Sequence, residues 1–184
     1  MNHHERCRRE VLTGLAGAGV LLIGAGAARP AFGDAKKKPA AEEIPPTEDL
    51  MREHGVLRRI LIVYGEAARR MDADASVVTV VASAAGIVRQ FVEGYHEKLE
   101  EEFVLPKLEK AGKLAELTKT IRTQHAAGRK LTDAISKDAK AGKGASAEQR
   151  RAIVTSIQAF GRMYGAHAAW EDTELFPVYR GMFS

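Results

Sequence analysis

The chain has 184 residues and a formal net charge of +4; residues 1–33 hold four arginines against two glutamates, which leaves about +2 for the rest. That balance excludes the charge pattern of a nucleic-acid binder and gives no basis for adhesion to an anionic membrane. The single cysteine, Cys7, lies in the first segment, so the remainder has no disulfide, thiolate metal site or thiol nucleophile, and its length suits one domain.

Residues 1–33 follow the order of a secretory signal: Arg8-Arg9, an apolar glycine- and alanine-rich stretch over 11–28, then the small-residue run Ala31-Phe32-Gly33 before Asp34. The run Arg8-Arg9-Glu10-Val11-Leu12 resembles the twin-arginine export signal, departing from it at Cys7, Val11 and Thr13. The expectation is an exported protein, periplasmic or extracellular, with no stable membrane insertion once the leader is cleaved. The competing reading is a retained leader acting as a membrane anchor, because the stretch is about long enough to span. Residues 34–46 are charged, proline-containing and poor in apolar side chains, which predicts a flexible linker; Lys36-Lys37-Lys38 is read as solubilising.

From residue 47 the hydrophobic period is helical. A first helix is predicted over 47–71, capped by Thr47 or Asp49, with Leu50, Leu57, Ile60, Leu61 and Tyr64 in step with His54. A second is predicted over 76–104. Its β-branched start, Val77 to Val81, is strand-like, but Ile87, Val88, Phe91, Val92, Leu99 and Phe103 keep the helical period, and Pro106 is expected to end or bend it. A third covers 114–139, with Leu117, Ile121, Leu131 and Ile135 in step with His125. After Gly142-Lys143-Gly144, Ser146 and Gln149 form a capping-box start for a fourth helix over 147–175. Four long helices with short connections predict an all-α, antiparallel up-down four-helix bundle filling residues 47–184, a fold that builds metal sites in its core.

A 71-residue repeat runs through that region. His54 recurs as His125, Arg58 as Arg129, His96 as His167, Glu100 as Glu171 and Pro106 as Pro177, while much of the apolar filler differs. The four histidines are the only ones outside the first segment, where His3 and His4 lie. Residues four apart share a helix face, so His96 projects with Glu100 and His167 with Glu171. Four imidazoles and two carboxylates suit iron, manganese or zinc, and paired carboxylates can bridge two ions about 3.5–4 Å apart. One histidine on an apolar face is usually a satisfied core residue, and one His-x-x-x-Glu is common by chance. Burying the whole set without a cation would cost on the order of several kcal/mol per ion, so the set points to metal. The neighbouring Glu97, Glu101, Glu102 and Asp172 are read as solvated by default. Tyr64, Tyr95 and Tyr164 are read as core or rim aromatics able to support a ligand. Arg58 and Arg129 either pair with carboxylates near the site or hold the helix surface.

These residues together resemble the hemerythrin-like family, the HHE cation-binding domains, over about 49–179: His54 with Leu57-Arg58, His96 to Glu100 with Leu105-Pro106, His125, and His167 to Glu171 with Leu175-Phe176-Pro177. The resemblance implies a non-haem centre of two iron ions, with Glu100 and Glu171 bridging and His54, His96, His125 and His167 terminal. Oxygen carriers of that family use a fifth histidine one turn before the third-helix histidine; here that position is Ile121. Glu97 stands where some iron-sensing members recruit a further carboxylate. Export by the twin-arginine route, which carries folded proteins, would let metal be loaded before export.

The function expected is binding of a small diatomic ligand, oxygen or nitric oxide, or of iron itself, in an apolar pocket of Leu57, Leu61, Phe103, Ile121 and Trp170. The alternatives are a di-iron enzyme acting on peroxide or nitric oxide with an external electron donor, an iron buffer, or a bare helical scaffold.

Overall fold

The computed structural model describes residues 44–183. The expected leader, and all of the expected linker up to residue 43, lie outside the described residues. Every regular element within them is helical.

Helix α1 spans Pro46–Arg70. The expected caps at Thr47 and Asp49 do not form. Pro45 stands at the N-cap and Pro46 in the first turn, where its missing N–H costs nothing and its fixed φ suits the helix. The Pro45 carbonyl accepts from Glu48 N–H at 2.9 Å and Asp49 N–H at 3.1 Å, and both acids sit favourably at the positive end of the dipole. Thr47 is therefore inside the helix and buried.

Helix α2 spans Val77–Lys110. Its valine-rich start is helical, because Val77, Val78, Val81, Ala84, Ala85, Val88 and Val92 are all buried by neighbouring helices, so packing overrides β propensity. By length and composition α2 would pass for a membrane span; its buried valines and alanines face the core, while Val80, Ile87 and Phe103 are exposed. Of the two outcomes expected at Pro106, an end or a bend, the end does not occur, as α2 continues through it to Lys110. Helix α4, residues 147–180, likewise runs through Pro177. A widened turn precedes each proline, over Glu100–Val104 and Glu171–Leu175. Leu105 N–H donates to the Glu100 carbonyl and Phe176 N–H to the Glu171 carbonyl, each five residues back. With the ladder already one residue out of step, a proline that lacks a donor and crowds the preceding turn is accommodated. Both wide turns start at the glutamates of the repeat, and such turns gather at functional sites.

Helix α3 spans Ala115–Ala139. Gly112, at φ 65°, closes α2, with Lys113 N–H donating to the Leu108 carbonyl at 2.9 Å. The expected capping box opens α4: Gln149 N–H donates to Ser146 Oγ at 3.1 Å, and Ser146 N–H to Gln149 Oε1 at 2.9 Å.

Pairs between helices show how the rods meet. Glu53 meets His96, Glu101 meets His125, Gln124 meets His167, and Asp172 meets His54. Farther along, Arg89 bonds Asp133, Arg122 bonds Glu109, and the Tyr64 and Phe160 rings lie 5.4 Å apart. The apolar core falls into two clusters. The larger includes Leu57, Tyr64, Val92, Ile135, Phe160 and Tyr164; the smaller holds Leu50, Val104, Leu105, Leu108, Ile121, Leu175 and Phe176. Along each helix the histidines and glutamates of the repeat lie between the two, as a buried polar layer.

Candidate metal centre

Each helix delivers its ligand-type side chains from its core-facing stripe, one each from α1 and α3 and two each from α2 and α4, in place of apolar residues. His54 stands between Leu50 and Leu57 on α1, and His125 follows Ile121 by one turn on α3. His96 and Glu100 on α2, and His167 and Glu171 on α4, are stacked a turn apart. All six are buried, none more than 4 % exposed.

They meet in two groups, His54–His96–Glu100–Glu171 and Glu100–His125–His167–Glu171, with the potential ligand atoms of each within 4.8 Å of one another. Both groups use both glutamates. Glu171 places Oε2 at 3.2 Å from His54 Nε2 and Oε1 at 3.0 Å from His167 Nε2. Glu100 places Oε1 at 3.6 Å from His96 Nε2 and Oε2 at 3.4 Å from His125 Nε2. Each carboxylate thus turns one oxygen to each histidine pair. The rings pair accordingly, His54 with His96 at 4.8 Å and His125 with His167 at 5.0 Å between centroids.

The far nitrogen of every imidazole is held. Nδ1 lies 2.8 Å from Asp172 in His54, 2.9 Å from Glu53 in His96, 3.0 Å from Glu101 in His125 and 2.9 Å from Gln124 Oε1 in His167. Arg58 backs Asp172 at 2.5 Å and Arg129 backs Glu101 at 2.6 Å. These partners fix the protonated nitrogen and ring orientation, the usual arrangement behind a metal-binding histidine. The inward atoms contrast with them. Nε2 of His54, His96 and His125, and all four oxygens of Glu100 and Glu171, are buried without a hydrogen-bond partner. Buried polar atoms are rarely left so. Seven in one place, all lone-pair donors of nitrogen or carboxylate type, fit a divalent cation site.

The electrostatics express the same strain. Burial pulls the His54 and His125 imidazoles down, but carboxylates outweigh it: Asp172 and Glu171 push His54 up to about 9, and Glu100 and Glu101 push His125 up to about 10. Burial and the Glu171 charge raise Glu100. Burial acts the same way on Glu171, but His167 and His54 outweigh it and hold that carboxyl below its usual range. Glu101 is held down to about 2 by His125 and Arg129, against burial.

Several side chains depart from the sequence reading. Glu101 and Asp172 are not solvated bystanders but the anchors of His125 and His54, and Glu97 is fully buried. Glu97 Oε1 accepts from the Tyr164 hydroxyl at 2.5 Å and Oε2 from Arg129 at 3.0 Å. Its oxygens are engaged there, although it groups with Glu101 and His125. Burial and Glu97 together push the Tyr164 hydroxyl up. Gly128 makes room for that ring, since a Cβ there would stand 2.0 Å from the Tyr164 hydroxyl oxygen. Phe103 and Trp170, expected in the pocket, are 53 % and 44 % exposed. They fall on the outer sides of α2 and α4, off the buried stripe. Leu57 and Ile121 are buried on either side of the polar layer, and Leu61 packs on the larger cluster. Glu53 and Gln124 were missed, though the repeat marks them: Glu53 and Gln124 are 71 positions apart, as are Glu101 and Asp172.

Comparison with known proteins bears on the family to which the chain belongs. Uncharacterized proteins of Mycobacterium bovis and of two strains of Mycobacterium tuberculosis are each 45 % identical over 146 residues, covering 78 % of this chain. The chain spans 57 % of the length of those relatives. No solved structure matches it. The model of the hemerythrin HHE cation binding domain matches residues 46–179, nearly all of the described helical region. The chain therefore belongs to the hemerythrin HHE cation-binding family, a membership that implies a metal cofactor.

Proposed function

We propose that the chain is an exported di-iron-binding protein, an up-and-down antiparallel four-helix bundle that takes up oxygen, nitric oxide or iron itself at its core. His54 and His96 would hold one ion, His125 and His167 the other, with Glu100 and Glu171 bridging. The carrying observation is the convergence of seven buried, unpartnered ligand atoms, backed by imidazoles whose outer nitrogens are all tied. Support for the antiparallel order comes from the pairs between helices, whose numbers fall on one rod as they rise on the next. Support for export comes from the leader-like residues 1–33.

Iron bound there would supply an open position for a small ligand and a reversible change of oxidation state. The chain's own residues do the rest. The carboxylates neutralise charge, the Nδ1 partners orient the rings, and the flanking apolar clusters exclude water. Ile121, deep in the smaller cluster, leaves both histidine pairs without a further nitrogen from α3. A second reading, breakdown of peroxide, draws on the buried Tyr164–Glu97 pair and the half-buried Arg129 beside His125, a hydrogen-bonded group able to hold protons near the centre.

Metal analysis and an electronic spectrum of protein from its native compartment test the proposal. Two irons per chain and a reversible oxygen- or nitric oxide-dependent band are expected. Rapid loss of peroxide with turnover would favour the enzyme. Replacing His96 or Glu171 by alanine should lower bound iron and remove the stabilisation that iron confers on melting; full iron in both variants overturns the site.

A further inference from the structure

The 71-residue repeat extends to the residues behind the ligands, and there it breaks once. The His54–Asp172–Arg58 group has its counterpart in His125–Glu101–Arg129. The remaining pair differs: His96 Nδ1 donates to the Glu53 carboxylate at 2.9 Å, whereas His167 Nδ1 donates to the neutral Gln124 amide oxygen at 2.9 Å. Both rings of the His54–His96 pair are therefore held by anions, and only one ring of the His125–His167 pair is.

An imidazole whose N–H is held by a carboxylate is the more basic donor through its other nitrogen. The side chains match in placement, so the contrast between Glu53 and Gln124 is one of charge. Glu97 adds a buried carboxylate on the His125 side, but its oxygens take the Tyr164 hydroxyl and Arg129. It acts through space and partly neutralised, whereas Glu53 acts through the ligand ring itself.

We propose that the two cation positions are unequal by construction, the His54–His96 position holding its ion more tightly, with Glu53 and Gln124 as the positioning residues that set the difference. This rests on the dinuclear reading above. The His125–His167 position is then the one that gives up its ion first to a chelator.

The test titrates the metal-free 184-residue chain with cobalt(II), followed by absorbance against a competing chelator. Two steps are expected, separated by about tenfold or more. Glu53→Gln should weaken the tighter step by about 10–100-fold, the range for such supporting residues, and Glu53→Asp should restore it in part. Gln124→Glu should instead strengthen the weaker step. Both changes thus merge the steps, one at the weak end and one at the strong end. Equal steps in the parent chain, no response to Gln124→Glu, or weakening of both steps together by Glu53→Gln would overturn the inference. Uptake of fewer than two ions by the parent chain shows as stoichiometry rather than affinity; it overturns the dinuclear reading and this inference with it. Circular dichroism of each metal-free variant confirms that the bundle is intact.

Discussion

Gly128→Ala is the substitution whose cost can be worked most directly from the structure. In most helices glycine to alanine stabilises by about 1 kcal/mol. Here the new Cβ would stand 2.0 Å from the Tyr164 hydroxyl oxygen and 2.7 and 2.8 Å from two ring carbons. Tyr164 cannot step aside, being fully buried with its ring 4.2 Å from Phe160 and 5.2 Å from His167. Forcing a carbon into such a core costs about 1–3 kcal/mol. Moving the hydroxyl off Glu97 leaves a buried carboxylate oxygen short of its donor, about 1–3 kcal/mol more. Against the propensity gain of about 1 kcal/mol, the net loss is about 1–5 kcal/mol, read by urea denaturation of metal-free protein so that bound metal does not mask it. Gly165→Ala, on the same helix as Tyr164 with nothing within 4 Å of the new Cβ, is the control and should gain about 1 kcal/mol. Tyr164→Phe alone should cost about 1–3 kcal/mol. The double variant should fall short of the sum, because both changes forfeit the same hydrogen bond. A Gly128→Ala protein as stable as its parent, or additive losses in the double variant, would refute the packing argument.

The raised histidines predict an alkaline limit for the metal-free protein. His54 and His125 lie at about 9 and about 10 against an ordinary 6.5, so the stability they contribute is complete below about pH 6.5 and drains away as pH rises through 9 and 10. Melting temperature of metal-free protein should fall across that window, and a flat profile would contradict it. Since both imidazoles carry a proton at neutral pH, loading with zinc in weak buffer should release about two protons per chain, read with an indicator dye. Ser146→Ala removes the acceptor of the α4 capping box and should cost about 1 kcal/mol in urea with metal stoichiometry unchanged.

How much was legible in the chain itself follows from what periodicity can encode. Spacing of three and four marks which side chains share a face, so the all-helical class, the Ser146 capping box and the inward stripe carrying His54, His96, Glu100, His125, His167 and Glu171 could be read directly. Periodicity does not say which face meets which. That His54 pairs with His96 and His125 with His167, that each glutamate turns one oxygen to each pair, and that Glu53, Gln124, Glu101 and Asp172 stand behind the rings are decided by the packing of the rods. Local rules also allowed an end at Pro106 and a cap at Thr47 that do not form. The cost of a proline depends on the turn before it, and a helix start depends on the prolines ahead of it. Glu97 shows the limit most plainly. A lone glutamate on a charged helix reads as solvated, and only Arg129 and a tyrosine 67 positions away, seated on Gly128, make it a buried partner, because desolvation is a property of neighbours in space and not of neighbours in the chain.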